Sequence, residues 1–113
     1  MPRMTGTLAY QQAARHRGPR DQEADVFRRV NTSLRSVMDR DSFAQSEALA
    51  DNGRLWLAVL DLVRDPANRL PDPLRTSVIS VGLAVQREMG TPKPDLGFII
   101  GINEQIAAGL SGQ

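Results

Sequence analysis

Residues 49–75 constrain the fold more than any other stretch, because a long helical pattern runs into a proline-bounded turn. The positions on one face recur at steps of three and four residues: Leu49, Asn52, Trp56, Val59, Leu60 and Val63. Pro66 ends this helix, since the residue before a proline is driven out of the helical region. Asp72 and Pro73 then start a second helix as its N-cap and first residue. The stretch therefore predicts two helices joined by a short turn.

The rest of the chain repeats this spacing, and no segment alternates apolar and polar residues for long enough to form a strand. Turn and capping residues separate the segments, and Ser42 with Gln45 matches a capping box. The pattern predicts helices over about 5–16, 19–40, 43–64, 73–89 and 96–110. We expect an all-α fold, a small bundle of three to five helices, in a single domain over 1–113. Residues 91–95 form a proline-bounded hinge before the last helix.

Composition narrows the class of protein. The chain has 113 residues, which suits one domain, and it contains no cysteine, which excludes disulfides, cysteine zinc sites and thiol catalysis. Its N-terminus lacks the apolar stretch of a secretory signal, and the longest apolar run, 55–60, is too short to span a membrane. The net charge of +1 gives no reason to expect nucleic acid as a partner. We expect a soluble cytoplasmic protein.

The sequence shows no combination of residues that is typical of a catalytic site. The single histidine, His16, lies between two arginines and has no other metal-ligating residue near it in sequence. Asp61, Asp65 and Asp72 gather near the turn, but a cap and the polar face of a helix explain them better than an acid–base pair does. The glycines are scattered and form no phosphate-binding loop. We therefore expect no catalytic residue, metal or cofactor, and no enzymatic activity.

The predicted helix over 43–64 contains candidate core residues, and the predicted helix over 96–110 contains a candidate interaction face. Trp56 on its amphipathic helix is expected in the core. Asn52 shares that face, so its amide must find hydrogen bonds, and we expect it to tie the helix to a loop backbone. Asn68 suits the capping of turn amides. In the last helix, an intramolecular role is favoured over the alternative of an apolar partner face, which would comprise Ile99, Ile100, Ile106 and Leu110.

The order of residues in the central stretch is more specific than packing or capping requires. It reads N-x-x-L-W and then P-x-N-x-L-P-x-x-L-R. The residues that form it are Asn52, Leu55, Trp56, Pro66, Asn68, Leu70, Pro71, Leu74 and Arg75. Together with Tyr10 and Phe27 upstream, the pattern resembles the FlaF family of flagellar biosynthesis regulators.

The resemblance implies a small non-enzymatic protein that is needed for flagellin production and flagellum assembly. Members of that family resemble flagellin-specific export chaperones that work alongside the regulator FlbT. By this resemblance, the expected partner is flagellin, bound through a terminal amphipathic helix whose apolar face is masked in a groove. The motif residues then either bind the partner or shape the turn: Asn52, Leu55, Trp56, Asn68, Leu70, Pro71 and Arg75.

Two other functions stay open at this point. One is an RNA-associated regulator of flagellin synthesis that uses the basic segment with Arg15, Arg17 and Arg20. The other is an adaptor that binds FlbT or the export apparatus and never holds flagellin.

Overall fold

Four helices make up the computed structural model, which describes residues 19–112. They are α1 (Pro19–Ser36), α2 (Ser42–Arg64), α3 (Asp72–Met89) and α4 (Leu96–Ser111). No strand occurs in this part of the chain. The all-α prediction is confirmed, and four of the five predicted helices are present. The fifth, over 5–16, lies outside the described residues.

Aspartate caps begin two of the helices. Asp41 accepts a hydrogen bond from the Ala44 backbone N–H at 2.9 Å, and Asp95 accepts one from Phe98 at 3.0 Å. The predicted capping box of Ser42 and Gln45 is wrong, because the cap lies one residue earlier and Gln45 is too far along the helix to return to it. Gln45 Nε2 instead donates to backbone carbonyls of the preceding turn.

The first helix ends earlier than its apolar pattern predicts. α1 stops at Ser36, and residues 37–39 form a turn. Gln45 binds three carbonyls in and beside this turn, those of Val37, Met38 and Arg40, each at 3.1 Å. Met38 lies in this turn and is 45% exposed. The physical reason for the early end is that the side chain of Gln45 donates to these backbone carbonyls. A longer helix would otherwise have paired them with its own N–H groups.

The start of α3 also differs from the prediction. Asp72 is the first helical residue rather than the cap, and its side chain is almost fully exposed. Pro71 occupies the cap position and offers no side-chain hydrogen bond. Asp72 still suits this end electrostatically, since a negative charge in the first turn opposes the helix dipole. The predicted end of this helix at residue 89 is confirmed, and Gly90 is its C-cap.

The four helices form a ring in which each packs against two others. α1 packs most extensively against α4, α2 packs against α1 and α3, and α3 also touches α4. Trp56 of α2 is fully buried at the centre, as predicted, and its ring meets that of Phe27 edge to face at 5.4 Å. The apolar core comprises mainly Ala24, Phe27, Leu34, Ala48, Trp56, Leu60, Val63, Leu70, Val78, Val85, Leu96, Ile99, Ile100, Ala107 and Leu110.

A glycine lets α3 approach the tryptophan closely. A Cβ atom placed on Gly82 would lie 3.0 Å from Trp56 Cε3 and 2.9 Å from Leu60 Cδ2. Both contacts are closer than carbon atoms tolerate without a shift. The backbone of α3 therefore lies directly against the indole ring, and the spacing of α2 and α3 depends on the absence of a side chain at this position.

None of the four described helices combines the length and the apolar character needed to cross a lipid bilayer.

Candidate functional site

The centre of the bundle contains a network of three buried asparagines. Asn31 of α1, Asn52 of α2 and Asn103 of α4 are each at most 1% exposed. The Asn103 amide nitrogen donates to Asn31 Oδ1 at 2.9 Å and to Asn52 Oδ1 at 2.8 Å. Asn103 thereby uses both of its amide hydrogens to join its own helix to two others.

The surrounding groups complete the network. Trp56 Nε1 donates to Asn103 Oδ1 at 2.9 Å, and Asn31 Nδ2 donates to the Ile100 carbonyl at 3.1 Å. Asn52 Nδ2 contacts Met89 Sδ of α3 at 3.3 Å. Within the described residues, no buried side-chain nitrogen or oxygen lacks a partner. A saturated network of this kind fixes the relative positions of the helices, because any displacement leaves a buried polar group unpaired.

The network corrects one prediction and adds a residue that sequence reasoning missed. Asn52 does not bind a loop backbone, since its partners are Asn103 and Met89. The reason is that its side chain faces the bundle axis, where α4 supplies a complementary amide. Asn31 was not singled out, although a signal existed: it lies one turn from Phe27 and Leu34 within an otherwise apolar stripe.

The turn between α2 and α3 is held by side chains onto backbone. Asn68 Oδ1 accepts from the Leu70 N–H at 2.9 Å, which confirms its predicted role in the turn. Arg75 of α3 donates to the carbonyls of Asn68 at 2.6 Å and Leu70 at 3.3 Å, and also to that of Val63 at the end of α2. One guanidinium thus satisfies carbonyls from both the helix end and the turn.

An apolar groove of about 230 Å³ lies beside this turn. Its walls come from the first half of α1, the second half of α2, the turn itself, α3 and the end of α4. The lining is mostly apolar and comprises Glu23, Val26, Phe27, Leu55, Ala58, Val59, Leu62, Val63, Asn68, Leu70, Val78, Ile106 and Leu110. Such an arrangement can bind apolar side chains of another segment.

The groove exists because α2 has a second apolar stripe. Leu55, Ala58, Val59 and Leu62 follow a three- and four-residue spacing alongside the buried stripe that contains Trp56. The buried stripe is covered by the other helices, whereas Leu62 is 55% exposed at the edge of the groove. Leu55 and Val59 are partly buried against the core, so the packing of the bundle explains part of this stripe. The exposed apolar surface at Leu62 is the part that the bundle leaves uncovered.

The groove brings together residues that the sequence pointed to separately. Leu55, Asn68 and Leu70 belong to the central motif, and Ile106 and Leu110 belong to the candidate face of the last helix. The other members of that face, Ile99 and Ile100, are buried in the core. Their exposure to a partner would require α4 to leave the bundle.

The remaining residues of the motif do not line the groove. Asn52 and Trp56 are buried in the network, Arg75 supports the turn, and Pro71 is exposed at the start of α3. His16 lies outside the described residues. Within residues 19–112, no three acidic or histidine side chains come together in a way that could hold a metal ion.

Comparison with known proteins gives one match. The sequence model of the family described as flagellar protein FlaF matches residues 7–110. Searches of curated proteins and of solved structures returned no match. The matched range includes all the groove residues and the whole asparagine network.

Proposed function

The chain belongs to the FlaF family of flagellar proteins, and we propose that it is a non-enzymatic regulator of flagellum biosynthesis that binds flagellin before export. The bound part of flagellin is a terminal segment that forms an amphipathic helix. The chain masks the apolar face of that helix and so keeps flagellin available for secretion and assembly. This function is cytoplasmic, since it precedes export.

The observation that carries this proposal is the apolar groove with its second stripe on α2. Helix-binding proteins commonly present an apolar groove to the residues that a partner helix repeats at three- and four-residue steps. Leu55, Val59 and Leu62 provide such a surface on one side, and Val26 and Ile106 on other sides. The size of the groove, about 230 Å³, suits a few apolar side chains rather than a whole domain.

Contacts beneath the groove hold several of its lining residues in place. Trp56 of the asparagine network packs against Phe27, and Arg75 binds backbone carbonyls of the turn. Val63 belongs to the core and also lines the groove, and its carbonyl accepts a hydrogen bond from Arg75. Asn68 and Leu70 line the groove while their carbonyls accept from the same guanidinium. A surface held in its binding geometry binds more tightly, because less conformational entropy is lost on association. This is the role that we propose for the motif residues that do not reach the surface.

Calorimetric titration of the purified protein with monomeric flagellin tests the proposal. We expect saturable binding to full-length flagellin that is lost when one terminal segment of flagellin is removed. Leu62→Asp should weaken binding by about tenfold or more, since a charge at the edge of an apolar contact must be desolvated.

Leu83→Asp is the matched control. Leu83 is an exposed leucine on α3, 44% accessible, and does not line the groove. We expect this variant to bind flagellin as the parent does. Absence of binding to full-length flagellin, or equal weakening by the two substitutions, would contradict the proposal. Recovery of FlbT or export components from cells that lack flagellin would then favour the adaptor, and binding of RNA with steep salt dependence would favour the RNA-associated regulator.

A further inference from the structure

The lining of the groove contains two polar side chains among apolar ones, those of Glu23 and Asn68. Glu23 already has an interaction partner within the protein. Asn68 lies in the turn between α2 and α3, where it is half-buried. Asn68 is therefore the side chain of the lining that is best placed to make a polar contact with an occupant of the groove.

Contacts within the protein occupy the hydrogen-bond acceptors around Asn68. Its Oδ1 accepts from the Leu70 N–H at 2.9 Å, and its carbonyl accepts from the Arg75 guanidinium at 2.6 Å. The carbonyls of Leu70 and Val63 accept from the same guanidinium. The Asn68 backbone N–H donates to the Asp65 carbonyl at 2.9 Å. The residues that line the groove at the turn thus have their acceptors already bonded.

The amide nitrogen of Asn68 remains as a donor. The bond from the Leu70 N–H to Oδ1 fixes the orientation of the amide, and Nδ2 then carries two hydrogens. Over residues 19–112, no acceptor pairs with Nδ2. The atom is therefore accessible to water, since no buried side-chain nitrogen in this range lacks a partner. An occupant that covers Asn68 removes this water, and the donor then needs an acceptor from the occupant.

The two ends of a bound helix differ in what they offer to such a donor. The last four carbonyls of a helix have no partner within it, and this end carries a partial negative charge. The first turn presents N–H groups instead, and these need acceptors. Because the acceptors of the lining at the turn are already bonded and its free group is a donor, the C-terminal end of a helix fits this end of the groove.

Resting on the proposed function, we propose that Asn68 Nδ2 donates to a free carbonyl in the last turn of the bound flagellin helix and so sets the direction of that helix. Its C-terminal end lies at the turn between α2 and α3. The bound helix then runs in the same sense as the second half of α2, which ends at this turn. The apolar contacts of the groove are non-directional, so the hydrogen bond to Asn68 distinguishes the two directions.

Spin labels on flagellin test the direction of the bound helix. Leu70 lies in the turn, and Leu55 lies on α2 about 14 Å before the end of that helix, at 1.5 Å per residue. The terminal segment identified by titration carries a nitroxide on a single introduced cysteine at one of its ends. A label at its C-terminal end should broaden the methyl signals of Leu70 more than those of Leu55, and a label at its N-terminal end should reverse this order. The opposite order, or equal broadening of the two leucines, would overturn the proposal.

Asn68→Asp separates the contact with flagellin from the structural role of Asn68. The aspartate keeps an oxygen that accepts from the Leu70 N–H, and aspartate suits such turns as well as asparagine does. The substitution replaces the free donor by an acceptor. We expect the thermal unfolding temperature to stay unchanged, while the affinity for flagellin falls by about tenfold or more. Parent-like binding by Asn68→Asp would mean that Asn68 only shapes the turn, and it would overturn the proposal.

Arg69→Gln is the matched control for charge. Arg69 is the next residue, is exposed and does not line the groove, and its substitution lowers the net charge by one, as Asn68→Asp does. We expect little effect on flagellin binding, since water and salt screen an exposed charge. Equal weakening by the two substitutions would indicate a general effect of charge and would overturn the hydrogen bond. Failure of the parent protein to bind flagellin would contradict the proposed function itself. Binding by the parent with the opposite order of broadening would contradict the direction alone.

Discussion

The centre of the bundle and the groove at its side are built from opposite kinds of contact. At the centre, three asparagines and Trp56 are fully buried, and each of their side-chain polar groups has a partner. In the groove, apolar side chains such as Leu62 stay partly exposed although they follow the same helical spacing. The hydrogen-bonded centre determines one arrangement of the helices. The groove, by contrast, has apolar surface that the fold leaves uncovered. Stability should therefore reside in the first region and partner binding in the second.

Trp56→Ala should give the largest effect. It removes the ring that contacts Phe27 and the N–H that Asn103 accepts, and it leaves a cavity at the centre. We expect a loss of about 3–5 kcal/mol in the free energy of unfolding, measured by urea denaturation followed by circular dichroism. A loss below about 1 kcal/mol would show that the centre is not the main source of stability.

Asn103→Ala tests the polar part of the centre separately. The substitution leaves the Trp56 N–H and the side-chain oxygens of Asn31 and Asn52 without the partner that they have in the native structure. We expect a cost of about 2–4 kcal/mol, because each buried polar group that loses its hydrogen bond keeps its desolvation penalty. The same denaturation measurement applies, and a near-neutral result would mean that water or a rearranged side chain replaces the amide.

Much of this architecture could be predicted from sequence, and the rest depends on contacts between distant segments. Helix positions follow from periodicity within each segment, and Asp95, Gly90 and Asn68 act at the ends of helices and in the turn as local chemistry indicates. The end of α1 could not be predicted from local sequence. The apolar pattern continues to Met38, but Gln45 of the next helix binds the Met38 carbonyl and the helix ends before it.

The candidate site shows the same division. Leu55, Asn68 and Leu70 could be singled out from the motif, and Ile106 and Leu110 from the face of the last helix. That these residues line one groove could not be predicted from sequence, since α2 and the turn meet α4 only through contacts between distant segments, with α1 packed against both α2 and α4. The partner of Asn52 was missed for the same reason, because it lies on α4.

Two glycine substitutions sharpen the contrast between tight and open packing. Gly82→Ala places a methyl group against Trp56 and Leu60 and should destabilise the protein by about 1–2 kcal/mol, even after the gain in helix propensity. Gly101→Ala, within α4, meets no atom within 4 Å and should stabilise it by about 0.5–1 kcal/mol. Thermal unfolding of the two variants should shift in opposite directions. A shift of both to higher temperature would argue against close contact between α3 and the tryptophan.

Glu104→Gln should give the smallest effect. Glu104 of α4 forms an ion pair with Arg35 of α1, and both side chains are about half exposed. Exposed pairs contribute less than about 1 kcal/mol, since water and salt screen them. We expect a change of that size or less in urea denaturation at low salt, and a smaller one at high salt. A larger, salt-independent loss would place part of the stability outside the buried centre.

The most direct test of the division between a rigid centre and a binding groove is a methyl and indole NMR titration with monomeric flagellin. We expect shifts at Leu55, Val59, Leu62 and Ile106, whose side chains line the groove. Little change is expected at Leu83 and at the Trp56 indole N–H, which stays bonded to Asn103. Shifts centred on Leu83, or loss of the Trp56 signal without change in the groove, would contradict this division between a stable centre and a groove that binds flagellin.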